Sequence, residues 1–129
     1  MDQVCCKPRL LAIDDHRDSA ELIVRVAEKL GFEAKAASTP DVLRAQLATW
    51  RPDIVTVDLC MPEEDGFEVF VLLGNLGFTG RVIIISGRDE WLRKSATVLA
   101  TARGLQIAGH LPKPVDLKLL RSVLTEARV

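Results

Sequence analysis

The stretch Ile54-Val-Thr-Val-Asp58-Leu-Cys-Met-Pro-Glu-Glu-Asp65-Gly66 is a β-branched run that stops abruptly at a carboxylate. From Ile54 to Val57 apolar residues follow one another with little alternation, the pattern of a strand buried on both faces. Asp58 then stands at the carboxyl end of a core strand. In open α/β sheets ligands bind in the crevice outside those ends, so an acid there is well placed for chemistry. An aspartate that merely begins a loop gives the same stretch. Other acids arriving at the same edge decide between the two readings.

Toward the N-terminus, Arg9 to Ile13 repeats the design, an apolar run that leads into Asp14-Asp15-His16. Between the two runs the spacing of Leu22, Ile23, Val26, Ala27 and Leu30 predicts a helix from Asp18 or Ser19, stopped by Gly31. Phe32 to Ala37 alternates apolar and polar residues, as a strand near a sheet edge does. Thr39-Pro40 opens a second helix, Thr as cap and Pro at the first position, with Val42, Leu43, Leu47 and Trp50 as its buried stripe.

Toward the C-terminus, Phe67 to about Leu76 is apolar almost all round and predicts a third helix, its end bracketed by Gly74, Gly77 and Gly80. Arg81 to Ser86 is the most strongly β segment in the chain. Asp89 to Arg103 predicts a helix that uses Trp91, Leu92, Ala96, Leu99 and Ala100 and stops at Gly104. Leu105 to Leu111 is a fifth strand that runs into Pro112-Lys113-Pro114. A last helix follows the capping Asp116 and packs through Leu119, Leu120, Val123, Leu124 and Ala127. Strand and helix alternate five times with short connections, so residues 1–129 are expected to form one α/β domain, a parallel sheet covered by helices on both faces.

Charge and composition narrow the function classes. With 17 basic and 18 acidic residues well mixed, a formal charge of −1 supplies no field that would attract nucleic acid. No apolar run approaches the ~20 residues of a membrane span, and the N-terminus lacks a signal-peptide core, so a cytoplasmic protein is expected. Cys5, Cys6 and Cys60 read as reduced thiols, without the His or Cys spacing of a zinc site. Cys60 lies two residues beyond Asp58, which makes a nucleophilic thiol conceivable. The spacing places no base beside it, and a passive lining residue is the plainer reading.

In a parallel sheet all carboxyl ends lie on one edge, so Asp14, Asp15, Asp58, Ser86 and Lys113 can converge. Three carboxylates in one crevice raise one another's proton affinity unless a cation joins them. Mg²⁺, with Mn²⁺ as its substitute, suits a few carboxylates completed by a backbone carbonyl, waters and phosphate oxygens. Lys113 adds a point charge that reaches a phosphate, and Ser86 a hydroxyl donor. These parts fit phosphoryl transfer to a carboxylate, with Asp58 as nucleophile.

The ordered set of Asp14-Asp15, Asp58 to Gly66, Ser86-Gly87 and Lys113-Pro114 closely resembles the CheY-like receiver domains of two-component response regulators, over essentially the whole chain. The resemblance implies a doubly wound, flavodoxin-like sheet in the order 2-1-3-4-5. It implies phosphorylation of Asp58 by a sensor histidine kinase or histidine phosphotransfer protein, in a signalling module rather than a classical enzyme. Mg²⁺ would be held by Asp15, Asp58 and the backbone carbonyl of Cys60, with Asp14 acting largely through water. A cis bond is implied at Lys113-Pro114. Ser86 and His110 would be the switch residues, and the fourth helix, fifth strand and fifth helix the output face, through which a homodimer can form.

Three departures from the family pattern stand out. His110 occupies a position often Tyr or Phe, where its charge would make signalling sensitive to pH, or where it is simply an exposed edge-strand histidine. Arg88 and Cys60 are candidates for tuning dephosphorylation, Arg88 equally a solvated surface residue. The interval from Ser86 to Lys113 is longer than in short relatives, which predicts a lengthened fourth helix. The text from Ala102 to Pro114 is also similar to receivers joined to cyclic-di-GMP phosphodiesterase domains. The chain ends at Val129, after the fifth helix, so no output domain is expected within it.

Two other readings share the fold. A Mg²⁺-dependent phosphatase of the haloacid dehalogenase type would carry Asp-x-Asp after the first strand, which Asp14-Asp15-His16 does not match. A degenerate receiver that only binds a partner would not need the intact acids, Ser86 and Lys113.

Overall fold

The computed structural model describes residues 7–60, 63–87 and 89–128, with side chains for all of these except 63–65 and 128. Its elements are β1 (Arg9–Ile13), α1 (Arg17–Lys29), β2 (Glu33–Ala37), α2 (Pro40–Leu47), β3 (Ile54–Asp58), α3 (Glu63–Asn75), β4 (Arg81–Ser86), α4 (Glu90–Ala102), β5 (Gln106–Pro112) and α5 (Leu117–Arg128). The five strands are parallel in the order β2-β1-β3-β4-β5, the expected arrangement. The order reverses between β1 and β3, so Asp14 and Asp58 flank the crevice at the switch point of the sheet.

The strand sequences dictate which side each residue serves. Leu11, Ile13, Val55, Val57, Val82 and Ile84 form one core with α2, α3 and α4. Leu10, Ala12, Ile54, Ile83 and Ile85 alternate to the other face and meet α1 and α5. β3 and β4 are therefore buried on both sides, as their apolar runs, interrupted before the strand ends only by Thr56, require. Each fully buried Val or Ile there contributes about 1.5–3 kcal/mol relative to exposure.

Helix ends follow the expected chemistry. Thr39 caps α2 by accepting from the Val42 N–H at 3.2 Å, and Asp89 caps α4 from Leu92 at 3.0 Å. Asp116 accepts from the Lys118 N–H at 2.8 Å. Gly31 and Gly104 take the left-handed conformation, at φ 94° and 82°, where a side chain would be strained.

Several expectations need correction. α1 begins at Arg17, capped by His16, and α3 begins at Glu63 rather than Phe67. Trp50 lies beyond the end of α2, buried but not part of the helix stripe. Leu22, Val42, Trp91 and Leu119 were expected in the core and are exposed, Trp91 by 70%. Each directly precedes a residue that packs inward: Ile23, Leu43, Leu92 and Leu120. A helix turns about 100° per residue, so only one of two neighbouring apolar residues can be centred on the sheet. Of the interval between Ser86 and Lys113, 13 residues form α4. One residue of that interval enters an irregularity in β5, where Val82 pairs with Ile107 but Ile83 pairs with Gly109, leaving Ala108 over.

Candidate functional site

Three strand ends bring the site together. β1 delivers Asp14, 2% exposed, and β3 delivers Asp58, 1% exposed, while Ser86 ends β4 at 3% exposure. Ser86 pairs with Pro112 in the sheet, and its carbonyl accepts from the Lys113 N–H at 2.8 Å. The peptide bond Lys113-Pro114 is cis, as expected. Lys113 follows the last residue of β5, its Nζ 2.6 Å from Asp58 Oδ2.

Asp58 is fixed at both oxygens. The Cys60 N–H donates to Oδ1 at 2.7 Å, and Lys113 occupies Oδ2. Asp14 Oδ1 accepts from the His16 N–H at 2.8 Å, so the N-terminus of α1 orients it. His16 in turn caps α1 through Nδ1, which receives the Ser19 N–H at 3.4 Å and lies 3.2 Å from its hydroxyl. This capping role is missed by a reading that starts the helix at Asp18, because His is not a common cap.

Burial and the Asp58–Lys113 contact pull the site's proton affinities in different directions. Asp14 is raised from 3.8 to about 6, first by burial and further by Asp58, against the opposing His16 hydrogen bond and Lys113 charge. For Lys113 burial acts to lower the proton affinity, but the hydrogen bond and charge of Asp58 outweigh it and the net shift is upward. The site thus holds two buried acids and a single ammonium, which contacts only one of them.

Hard oxygen donors and a surplus of buried negative charge fit a divalent cation such as Mg²⁺. Among the described residues no three His, Cys, Asp or Glu side chains are gathered tightly enough to hold a metal by themselves. Mg²⁺ does not require that, since one or two carboxylates with carbonyl and water ligands suffice. Asp15 is exposed at the rim beside Asp14.

The remaining candidates divide. The Cys60 thiol, although the residue is exposed, is pushed up by partial desolvation and then by the Asp58 charge. His110 is not drawn into the acid cluster. Its Nε2 lies 3.2 Å from Thr97 Oγ1 on α4, a partner that spacing could not reveal because the extra residue in β5 decides which way His110 faces. Arg88, Met61 and Pro62 lie outside the described residues, as do the side chains of Glu63, Glu64 and Asp65.

A sequence profile described as the response regulator receiver domain matches residues 10–125. The chain is 28% identical over 118 residues to the DNA-binding transcriptional regulator NtrC of Azospirillum brasilense, covering 92% of this chain and 24% of that protein. It is 30% identical over 112 residues to the response regulator MprA of Mycobacterium leprae, covering 87% of this chain and 47% of that protein. The chain therefore spans between about a quarter and a half of these curated relatives. A response regulator structure from Colwellia psychrerythraea superposes with a TM-score of 0.80 at 31% identity, over 94% of this chain and 96% of that one. No helix among the described residues is long and apolar enough to cross a membrane.

Proposed function

We propose, from the premise that this chain belongs to the response regulator receiver family, that it works as a phosphorylation switch with Asp58 as the phosphate acceptor. The observation that carries this reading is the fixed, buried carboxylate of Asp58, with Lys113 Nζ 2.6 Å from Oδ2. A carboxylate oxygen of Asp58 attacks the phosphorus of a phosphohistidine on a sensor kinase or histidine phosphotransfer protein. The new O–P bond forms as the P–N bond breaks, and the electron pair returns to the imidazole of the donor.

Asp15, Asp58 and the Cys60 carbonyl would hold Mg²⁺ or Mn²⁺, with Asp14 acting through water. The ion, when bound, neutralises negative charge on the phosphoryl oxygens. Lys113 moves its ammonium from the carboxylate to the incoming phosphoryl group, and Ser86 donates its hydroxyl to another phosphoryl oxygen. No general base is needed, since a carboxylate nucleophile attacks without losing a proton. The reading makes residues 1–129 one receiver module, cytoplasmic, with α4, β5 and α5 as the face for a downstream effector or a second copy.

Incubation with acetyl phosphate and Mg²⁺ tests it against Asp58→Asn. The expected product is an acid-stable, base-labile adduct on Asp58 that forms only with the metal. No adduct from small phosphodonors and no response to a beryllofluoride mimic leaves a module that only binds, and turnover of assorted phosphate esters points instead to a phosphatase.

A further inference from the structure

Helix α4 is lightly attached. Only Ala96 and Ala100 are buried along it, with Leu92 and Leu99 partly so, while Trp91 and Val98 face outward at about 70% exposure. Small side chains offer little area to fix a helix in rotation or translation. Against that background one polar contact stands out. Among the described residues, the pair of Thr97 Oγ1 and His110 Nε2, at 3.2 Å, is the side-chain hydrogen bond that joins α4 to β5.

The direction of this bond follows from the atoms available. Thr97 Oγ1 donates to the Arg93 carbonyl at 2.9 Å. A hydroxyl has a single hydrogen, and once that is given to the Arg93 carbonyl the Thr97 oxygen is left to accept from His110. With that assignment neutral His110 carries its proton on Nε2.

The strand irregularity makes the contact possible. Ile107 packs on the side of α3 and α4. In a regular strand His110, three residues on, would face the opposite side. The extra residue Ala108 reverses the phase, so Gly109 turns to Val123 of α5, and His110 pairs with Ile84, whose side chain belongs to the α4 side.

We propose that Thr97 is a positioning residue: by accepting the Nε2–H of His110 it fixes the imidazole against α4 and ties that helix to β5. Because β5 continues three residues on into Lys113, the tie sets how firmly α4 follows the strand that carries the site lysine. This consequence rests on the phosphorylation reading, whereas the tie itself does not.

The test uses the full chain with Thr97→Val, which keeps the β-branched shape and removes the acceptor, and Thr97→Ser, which restores a hydroxyl. In ¹⁵N imidazole spectra the unphosphorylated protein shows the Nε2–H tautomer at His110, and Thr97→Val shifts toward a tautomer mixture. Amide exchange along α4 becomes roughly two- to tenfold faster in Thr97→Val, the span of one net hydrogen bond, and returns in Thr97→Ser. An Nδ1–H tautomer in the wild-type protein, or α4 exchange unaltered in Thr97→Val, overturns the tie. If tautomer and exchange behave as expected but Asp58 takes up neither phosphate nor beryllofluoride, the tie stands and the phosphorylation reading fails.

Discussion

Asp58 and Lys113 hold each other across the end of the sheet, Nζ 2.6 Å from Oδ2, with the carboxylate 1% exposed and the lysine side chain 30% exposed. The asymmetry of exposure predicts an asymmetry of damage. Lys113→Ala leaves a buried charge beside Asp14 without its cation, a loss of about 3 kcal/mol at the lower end of the range for a broken buried pair. Asp58→Asn leaves a lysine that can turn to water, and it relieves Asp14 of a neighbouring charge. In urea denaturation without metal, Lys113→Ala is expected to unfold at the lower midpoint of the two. The reverse ranking would show that the Asp58 charge is not stranded by loss of the lysine.

Thr56 carries the next prediction. Its residue is 1% exposed on β3, and its hydroxyl has no hydrogen-bond partner among the described residues. It shares the face of Ile54, toward α1 and α5, between Ala12 and Ile83 in the neighbouring strands. An unpaired buried hydroxyl costs about 1–3 kcal/mol, and valine has nearly the same shape. Thr56→Val is expected to raise stability by about 1 kcal/mol with the urea m-value unchanged. A lower midpoint would mean that the hydroxyl is hydrogen-bonded in solution, most simply to a buried water.

Much of this architecture is legible in the residues themselves. The unbroken run Val82 to Ile85 announces a strand buried on both faces, and the polar residues closing four strands mark the site edge. Three features are not legible. Neighbouring apolar residues such as Trp91 and Leu92 look alike in the sequence, and only the rotation of the packed helix decides which one is buried. The facing of His110 depends on a single extra residue in β5, which leaves no mark in the hydropathy pattern because Ala108 sits between Ile107 and Gly109. The early start of α3 is hidden by Gly66, a poor helix former inside the helix, where among the described residues an added Cβ meets Leu59 at 3.9 Å.

Gly74 shows where the α3–α4 contact is tight. A Cβ there would lie 2.9 Å from the Cβ of Arg103 and 3.3 Å from its carbonyl oxygen, atoms fixed to the backbone at the end of α4. Gly74→Ala gains about 1 kcal/mol of helix propensity in α3 but must displace the end of α4, and overpacking of this kind costs about 1–3 kcal/mol. The expected result is a net loss of stability with faster amide exchange at the C-terminal turn of α4. A gain in urea midpoint would show that α4 moves aside freely.

The two tryptophans should separate cleanly as reporters. Trp50 is 6% exposed, with Nε1 donating to Glu33 at 2.7 Å, whereas Trp91 in the first turn of α4 is 70% exposed. Iodide is expected to quench emission from Trp91 alone, so Trp91→Phe removes the quenchable component and Trp50→Phe leaves it. With beryllofluoride and Mg²⁺ the Trp91 component is expected to change. Unchanged Trp91 emission in protein with a proven Asp58 adduct would mean that the first turn of α4 stays in place.

His110 sets the pH behaviour of the α4 face. Its proton affinity is lowered from 6.5, first by burial and then by Arg93, the charged group that acts on it from α4. A second ring proton would also need a new acceptor in a half-buried position. The folded chain therefore prefers neutral His110. The stability this contributes is present above 6.5, the unfolded value, and is lost as pH falls through the lower folded value. The charge change then falls on the acid side of 6.5, not across neutral pH as an unperturbed edge histidine would place it. Imidazole NMR should give a midpoint below 6.5 for His110. The acid-side loss of stability should shrink in His110→Phe, read as a smaller fall in urea midpoint between about pH 7 and pH 5. A midpoint above the unfolded value would require an anion at His110 that the present arrangement of Thr97 and Arg93 does not supply.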